Sequence, residues 1–259
     1  GPAESLPGSQ NGAGKAVIRL ATFGWWLLFL LLLPVLLPQA LVSRRRAIRL
    51  EPPQGVQTGI AGSGVGEPLR LLVLGESTVA GVGVSCQQEA LAGRFAEQLA
   101  QRSGRPVAWR AVGENGITAA QAVARLLPQV SDQRFELVLL VFGVNDTTHF
   151  SSDACWQKAL RKLAQAFATP DCRVIFTAVP PVRHFSALPW LLRQVLGLRA
   201  VLLDRQLARV AADGAALHYA VELEFTPEYL ARDGYHPSAQ GYRYWAEGLG
   251  ALVLRDLRL

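Results

Sequence analysis

No charged residue interrupts the 24 positions from Leu20 to Ser43. As a helix rising ~1.5 Å per residue, this stretch reaches about 36 Å, against a bilayer hydrocarbon core of about 30 Å. Its apolar residues fall on every face, unlike those of a core helix with a single apolar stripe. Trp25 and Trp26 lie near its start, in keeping with aromatic side chains at a membrane interface. Pro34 and Pro38 are compatible with a membrane helix, where neighbouring groups re-satisfy the freed backbone. The competing reading is a secretory signal peptide, with Lys15 and Arg19 as its charged region and cleavage near Ala40. The length of the run, and Arg44-Arg45-Arg46 directly behind it, favour an uncleaved anchor. The expected organisation is therefore an N-terminal tail over 1–19, a transmembrane helix over 20–43, a basic flank and linker over 44–68, and one folded domain over 69–259. Four arginines (Arg44, Arg45, Arg46, Arg49) follow the span, whereas Lys15 and Arg19 precede it. A single-pass membrane protein is expected; the positive-inside bias favours a folded domain on the cytoplasmic side, while large domains also translocate whatever the flanking charge, which leaves the outer side open.

Those flanks also account for the net charge of +6. Beyond residue 50 the chain carries 20 basic and 19 acidic residues, so the folded part has no excess with which to track phosphates. No nucleic-acid partner is expected. The three cysteines show neither CxxC nor Cys/His ligand spacing, and no metal site is expected.

After the Gly- and Pro-rich stretch 51–68, short apolar runs alternate with segments of helical periodicity. Strands are expected at 69–74, 107–112, 136–142, 173–179 and 217–221, and helices at 87–101, 119–127, 156–167, 191–212 and 238–252. The run Glu136–Phe142 is continuously apolar after its first residue, as befits a strand buried on both faces. Five strands joined by helices imply an α/β domain of three layers around a five-stranded parallel sheet. Ligands of such sheets bind beyond the C-terminal ends of the strands.

At those ends stand Gly75-Glu76-Ser77-Thr78, Gly113-Glu114-Asn115-Gly116-Ile117-Thr118 and Gly143-Val144-Asn145-Asp146, with Asp233-Gly234-Tyr235-His236-Pro237-Ser238 before the last helix. Each alone is an ordinary turn or helix cap. Together they supply a serine, a glycine amide, an asparagine amide and an Asp/His pair, the parts needed for nucleophilic acyl transfer.

In this order of blocks, the sequence resembles the SGNH (GDSL-type) hydrolase family over roughly Leu69 to Leu252. The resemblance implies a flavodoxin-like fold. It also implies a catalytic triad of Ser77, Asp233 and His236, and an oxyanion hole formed by the Ser77 and Gly116 amides and the Asn145 side chain. No metal or organic cofactor is implied. The usual Gly-Asp-Ser is here Gly-Glu-Ser, with Glu76 one methylene longer. A G-x-S-x-G elbow is absent, which argues against an ordinary α/β-hydrolase.

The expected activity is cleavage of acyl esters by a membrane-anchored, lipase-like serine esterase, acting on a small-molecule or lipid ester. O-acyl transfer and carbohydrate deacetylation are the alternatives that use the same site, and a catalytically inactive binding domain is a third. Phe185 to Trp190, ahead of the long helix and interrupted by Pro189, reads as an apolar loop at the cleft mouth. Phe185 and Trp190 are the candidate substrate contacts. His149 and His184 read as loop residues, and His218 as a structural residue of the last strand.

Overall fold

The structure is a computed structural model that describes residues 8–257. Positions 1–7 of the expected tail and the last two residues lie outside the described part. In chain order the elements are α1 (Gly8–Arg46), β1 (Thr58–Ala61), β2 (Leu69–Gly75), α2 (Ser77–Ala80), α3 (Leu91–Ser103), β3 (Val107–Gly113) and α4 (Ala119–Arg125). They continue as β4 (Leu137–Val141), α5 (Val144–Thr148), α6 (Asp153–Gln165), β5 (Arg173–Thr177), α7 (Trp190–Asp213), β6 (Leu217–Tyr219) and α8 (Ala239–Asp256).

The sheet order is β1-β3-β2-β4-β5-β6, parallel throughout except for β1, which runs antiparallel beside β3. The five expected parallel strands are present, and β1 makes a sixth. Residues 58–61 are therefore sheet edge rather than linker. Their pairing sets Gly59 opposite Trp109, and the Trp109 ring packs where any side chain at 59 would stand. The connection from β2 leads to β3 on one side and that from β4 to β5 on the other, so the crevice between the C-terminal ends of β2 and β4 is the switch point of the sheet.

Alternation along the strands divides the core into two layers. Leu72 and Leu74 face α4, α6 and α7, while Leu71 and Val73 face α3 and α8. The first layer also contains Trp25 and Leu36 of α1. This helix starts before the expected span and runs unbroken through Pro34 and Pro38. It does not stand apart from the domain. The Trp25 indole Nε1 donates to the Val195 carbonyl at 2.8 Å, and the Leu192 amide donates to Gln39 Oε1 at 3.2 Å, which holds α1 against α7.

Candidate active site

The strand-end blocks converge at the C-terminal edge of β2, β3 and β4. Ser77 opens α2, directly after β2, and its Oγ–H donates to His236 Nε2 at 2.9 Å. On the far side of the ring, Nδ1–H donates to Asp233 Oδ2 at 2.6 Å, which assigns the tautomer that leaves Nε2 free to accept. Asp233 is itself fixed, because its Oδ1 accepts the Tyr235 and His236 amides at 3.0 and 3.1 Å. Burial pushes the Asp233 carboxyl up, but hydrogen bonds from the His236 ring and these amides outweigh it, and the group is held below the usual carboxylate range. A spacing of three lets one turn carry both acid and base.

Asn145 lies in the first turn of α5 and faces the same cleft as Ser77 and His236. Gly143, at φ +128, makes the preceding turn; a side chain there would collide with Val179. Gly116 sits in the turn after β3 at φ +83, and its neighbour Asn115 lines the cleft. Asp146 ties the two blocks together, accepting the Ala119 amide at 2.9 Å from the start of α4.

Glu76 fills the place of the usual aspartate and is buried. Its carboxyl accepts the Val144 amide at 3.1 Å, the Asn145 amide at 3.1 Å and the Asn145 side-chain Nδ2 at 3.0 Å. The added methylene lets it span from β2 to α5 and set the direction of the Asn145 amide. Burial raises its pKa to about 8, with the three donors pulling against it.

Val144, Phe185, Leu223, Phe225, Leu230 and Trp245 form the apolar walls of the cleft. Phe185 is thus where the sequence reading put it. Trp190 is not: it is 66% exposed at the start of α7 and does not line the cleft. Pro189 begins the helix with Trp190 pointing outward, so proximity in sequence to Phe185 did not carry it inward. The sequence reading missed the wall from 223 to 230. Its one signal was the apolar set Leu223, Phe225, Tyr229 and Leu230 in a segment with no regular element. His184 stacks on Phe225 at 5.2 Å and so supports this wall, while His149 Nδ1 contacts the Asn145 carbonyl at 2.8 Å. His218 pairs with Asp204 at 2.9 Å, away from the cleft. All three cysteines are free.

The GDSL-like lipase/acylhydrolase family matches residues 73–244, a stretch that contains every one of these blocks. The chain belongs to that family. It is similar to a GDSL-like esterase of Mycobacterium tuberculosis, 26% identical over 201 residues, covering 73% of this chain and 62% of that protein. The chain thus spans somewhat less than two thirds of the length of this relative. Among solved structures it resembles TesA, with a TM-score of 0.57 at 20% identity over 73% of this chain and 99% of that one. The esterase EstA from Pseudoalteromonas sp. has the same TM-score at 15% identity, covering 73% and 99%. At these identities the structures establish the shared fold.

Proposed function

We propose that this chain is a membrane-attached serine esterase that cleaves acyl esters through an acyl-serine intermediate. The observation that carries the reading is the continuous hydrogen-bond chain Ser77–His236–Asp233, at 2.9 and 2.6 Å, opening into the cleft that Asn145 faces. Ser77 Oγ attacks the ester carbonyl as His236 Nε2 takes its proton, and Asp233 stabilises the imidazolium. The tetrahedral oxyanion accepts hydrogen bonds from the Ser77 and Gly116 amides and Asn145 Nδ2. Each such donor contributes about 2.7–4 kcal/mol to the transition state. His236 returns the proton to the leaving alcohol, then deprotonates a water that releases the acid and regenerates Ser77.

The apolar walls support an acyl chain as the group held beside the nucleophile. The uncharged run of α1 and the arginines behind it support attachment to a membrane, and the arginines favour its anionic, cytoplasmic surface.

The test is fluorophosphonate labelling combined with aryl esters of increasing acyl length. With about 0.8 kcal/mol per buried methylene, kcat/KM should climb from acetyl to octanoyl. Phe185→Ser with Phe225→Ser should flatten the climb, while Trp190→Ser should leave it unchanged. If acetyl esters are the best substrates and the cleft variants have no effect, the acyl assignment fails. A protease site inserted after the exposed Val65 should resist cleavage from outside intact cells; external cleavage overturns the cytoplasmic placement.

A further inference from the structure

We infer that α1 lies flat in the headgroup region of an anionic lipid bilayer, with α7 packed along its inner side, rather than standing across the membrane. The inference rests on the membrane attachment proposed above and specifies its geometry.

The first argument is the extent of the α1–α7 contact. It runs from Gly14, whose lack of a side chain admits the Arg209 guanidinium, through Trp25 on Val195, to Gln39 on Leu192. At ~1.5 Å per residue these 25 steps cover about 38 Å, more than a hydrocarbon core of about 30 Å. On the domain side the same contacts run from Leu192 to Arg209, about 26 Å of helix, so a crossing α1 would draw most of α7 into the bilayer. The Arg199–Asp153 pair, packed beside Trp25 within the uncharged run, would then be drawn towards hydrocarbon.

The second argument is the division of the helix surface. Ile18, Thr22, Trp25 and Leu36 face the protein and are buried. On the opposite side Leu20, Phe23, Leu27, Leu31, Leu37 and Leu41 recur at spacings of three, four and six and are at least half exposed. With its reverse side taken up by the protein, α1 offers lipid one broad apolar face.

Charge identifies the occupant. Lys15 and Arg19, with Arg161 and Arg209 beside them, lie at one end of the stripe, and Arg44, Arg45 and Arg46 at the other. A helix lying flat presents both basic ends to one headgroup layer, where anionic lipid attracts each of them.

The test uses the full chain with Cys86, Cys155 and Cys172 replaced by Ser, and a single spin-labelled cysteine at Leu20, Leu31 or Leu41. The membranes are vesicles of phosphatidylcholine and phosphatidylglycerol. All three labels should report one shallow depth, and a water-soluble reductant added outside should reach all three. Lys15→Gln with Arg19→Gln, and separately Arg44, Arg45 and Arg46→Gln, should each lower vesicle binding several-fold. Hydrolysis of a soluble aryl ester should stay unchanged in both.

Bound protein with Leu31 deep and Leu20 and Leu41 at opposite leaflets overturns the flat geometry and leaves the membrane attachment standing. Labels shielded from lipid-borne quencher and broadened by each other would show that a second copy covers the stripe, which also overturns it. A chain that does not bind the vesicles overturns both readings.

Discussion

Glu76 shows what one methylene changes beside a nucleophile. Its three N–H donors hold it against the helix that carries Asn145, and its burial keeps a proton on it up to about pH 8. In that neutral form it orients the Asn145 amide without setting a negative charge beside Ser77. Raising the pH through about 8 ionises it, so kcat should fall on that limb, and Glu76→Gln should remove the limb. Stability follows the same proton. A carboxyl raised from 4.5 to about 8 on folding contributes stability that is fully present below pH 4.5 and is lost as the pH rises through about 8. Glu76→Gln should flatten that slope in a series of melting curves. A Gln variant with an unchanged pH–kcat profile would sink the assignment. Ser77→Ala should abolish fluorophosphonate labelling and lower kcat by at least about 10³-fold, and adding His236→Ala should change little further, because triad members act as a unit. The convergence of Ser77, His236, Asp233 and Asn145 was legible in the sequence because each sits in a short block beside a strand or helix end. The hold of Glu76 on Asn145 was not, because it joins positions 69 residues apart.

Secondary structure was legible wherever a continuous or periodic apolar run specified its own element. All five expected strands and all five expected helices have counterparts in the structure. The edge strand β1 escaped because four residues, Thr58–Ala61, in a glycine-rich stretch carry no pattern; their pairing with β3 defines them. The short helix α5 escaped for the same reason, although it links the cleft to α1. It presents Asn145 at its first turn and leads through His149 to Phe150, whose ring lies 5.0 Å from Phe29 and 6.4 Å from Trp25. Phe150 adopts φ +55, a left-handed conformation that costs an L-residue about 1–2 kcal/mol. The aromatic contact with α1 offsets that cost. Phe150→Ala should lose the contact and keep the strain, destabilising the protein by about 2 kcal/mol and lowering kcat as α5 loosens. Phe150→Gly loses the same ring but relieves the strain, so it should melt above the alanine variant. The reverse order would show that the left-handed turn stores no strain.

At the scale of the whole molecule, the uncharged run was legible as a helix, but its inner and outer faces were not. Residues on both sides are apolar, and only the contact with α7 sorts them. That contact makes α1 part of the fold. Trp25 and Leu36 share a core with Leu140 and Phe176, and the Arg199 side chain, fully buried, lies 5.5 and 6.0 Å from the Trp25 and Trp26 rings. Arg199 pairs with Asp153 at 2.9 Å and donates to the Ser151 carbonyl at 2.8 Å, so α1 roofs a charged pair that anchors α7 to α6. A chain beginning at residue 51 keeps every residue of the cleft and should still react with fluorophosphonate. It exposes the face of α7 around Val195 and Leu196 and loses the burial of Trp25, which alone contributes about 3 kcal/mol. In the same detergent it should melt roughly 10 °C below the full chain, at about 2–4 °C per kcal/mol for a domain of this size, and it should self-associate. Arg199→Ala should destabilise the full chain, since it empties the fully buried site between Asp153 and the Trp25 ring. The same change should cost the shortened chain less, because without Trp25 and Trp26 above it the Arg199 site is open to water. A shortened chain that stays monomeric, melts with the full one and responds equally to Arg199→Ala would show that α1 is a tether and no part of the folded core.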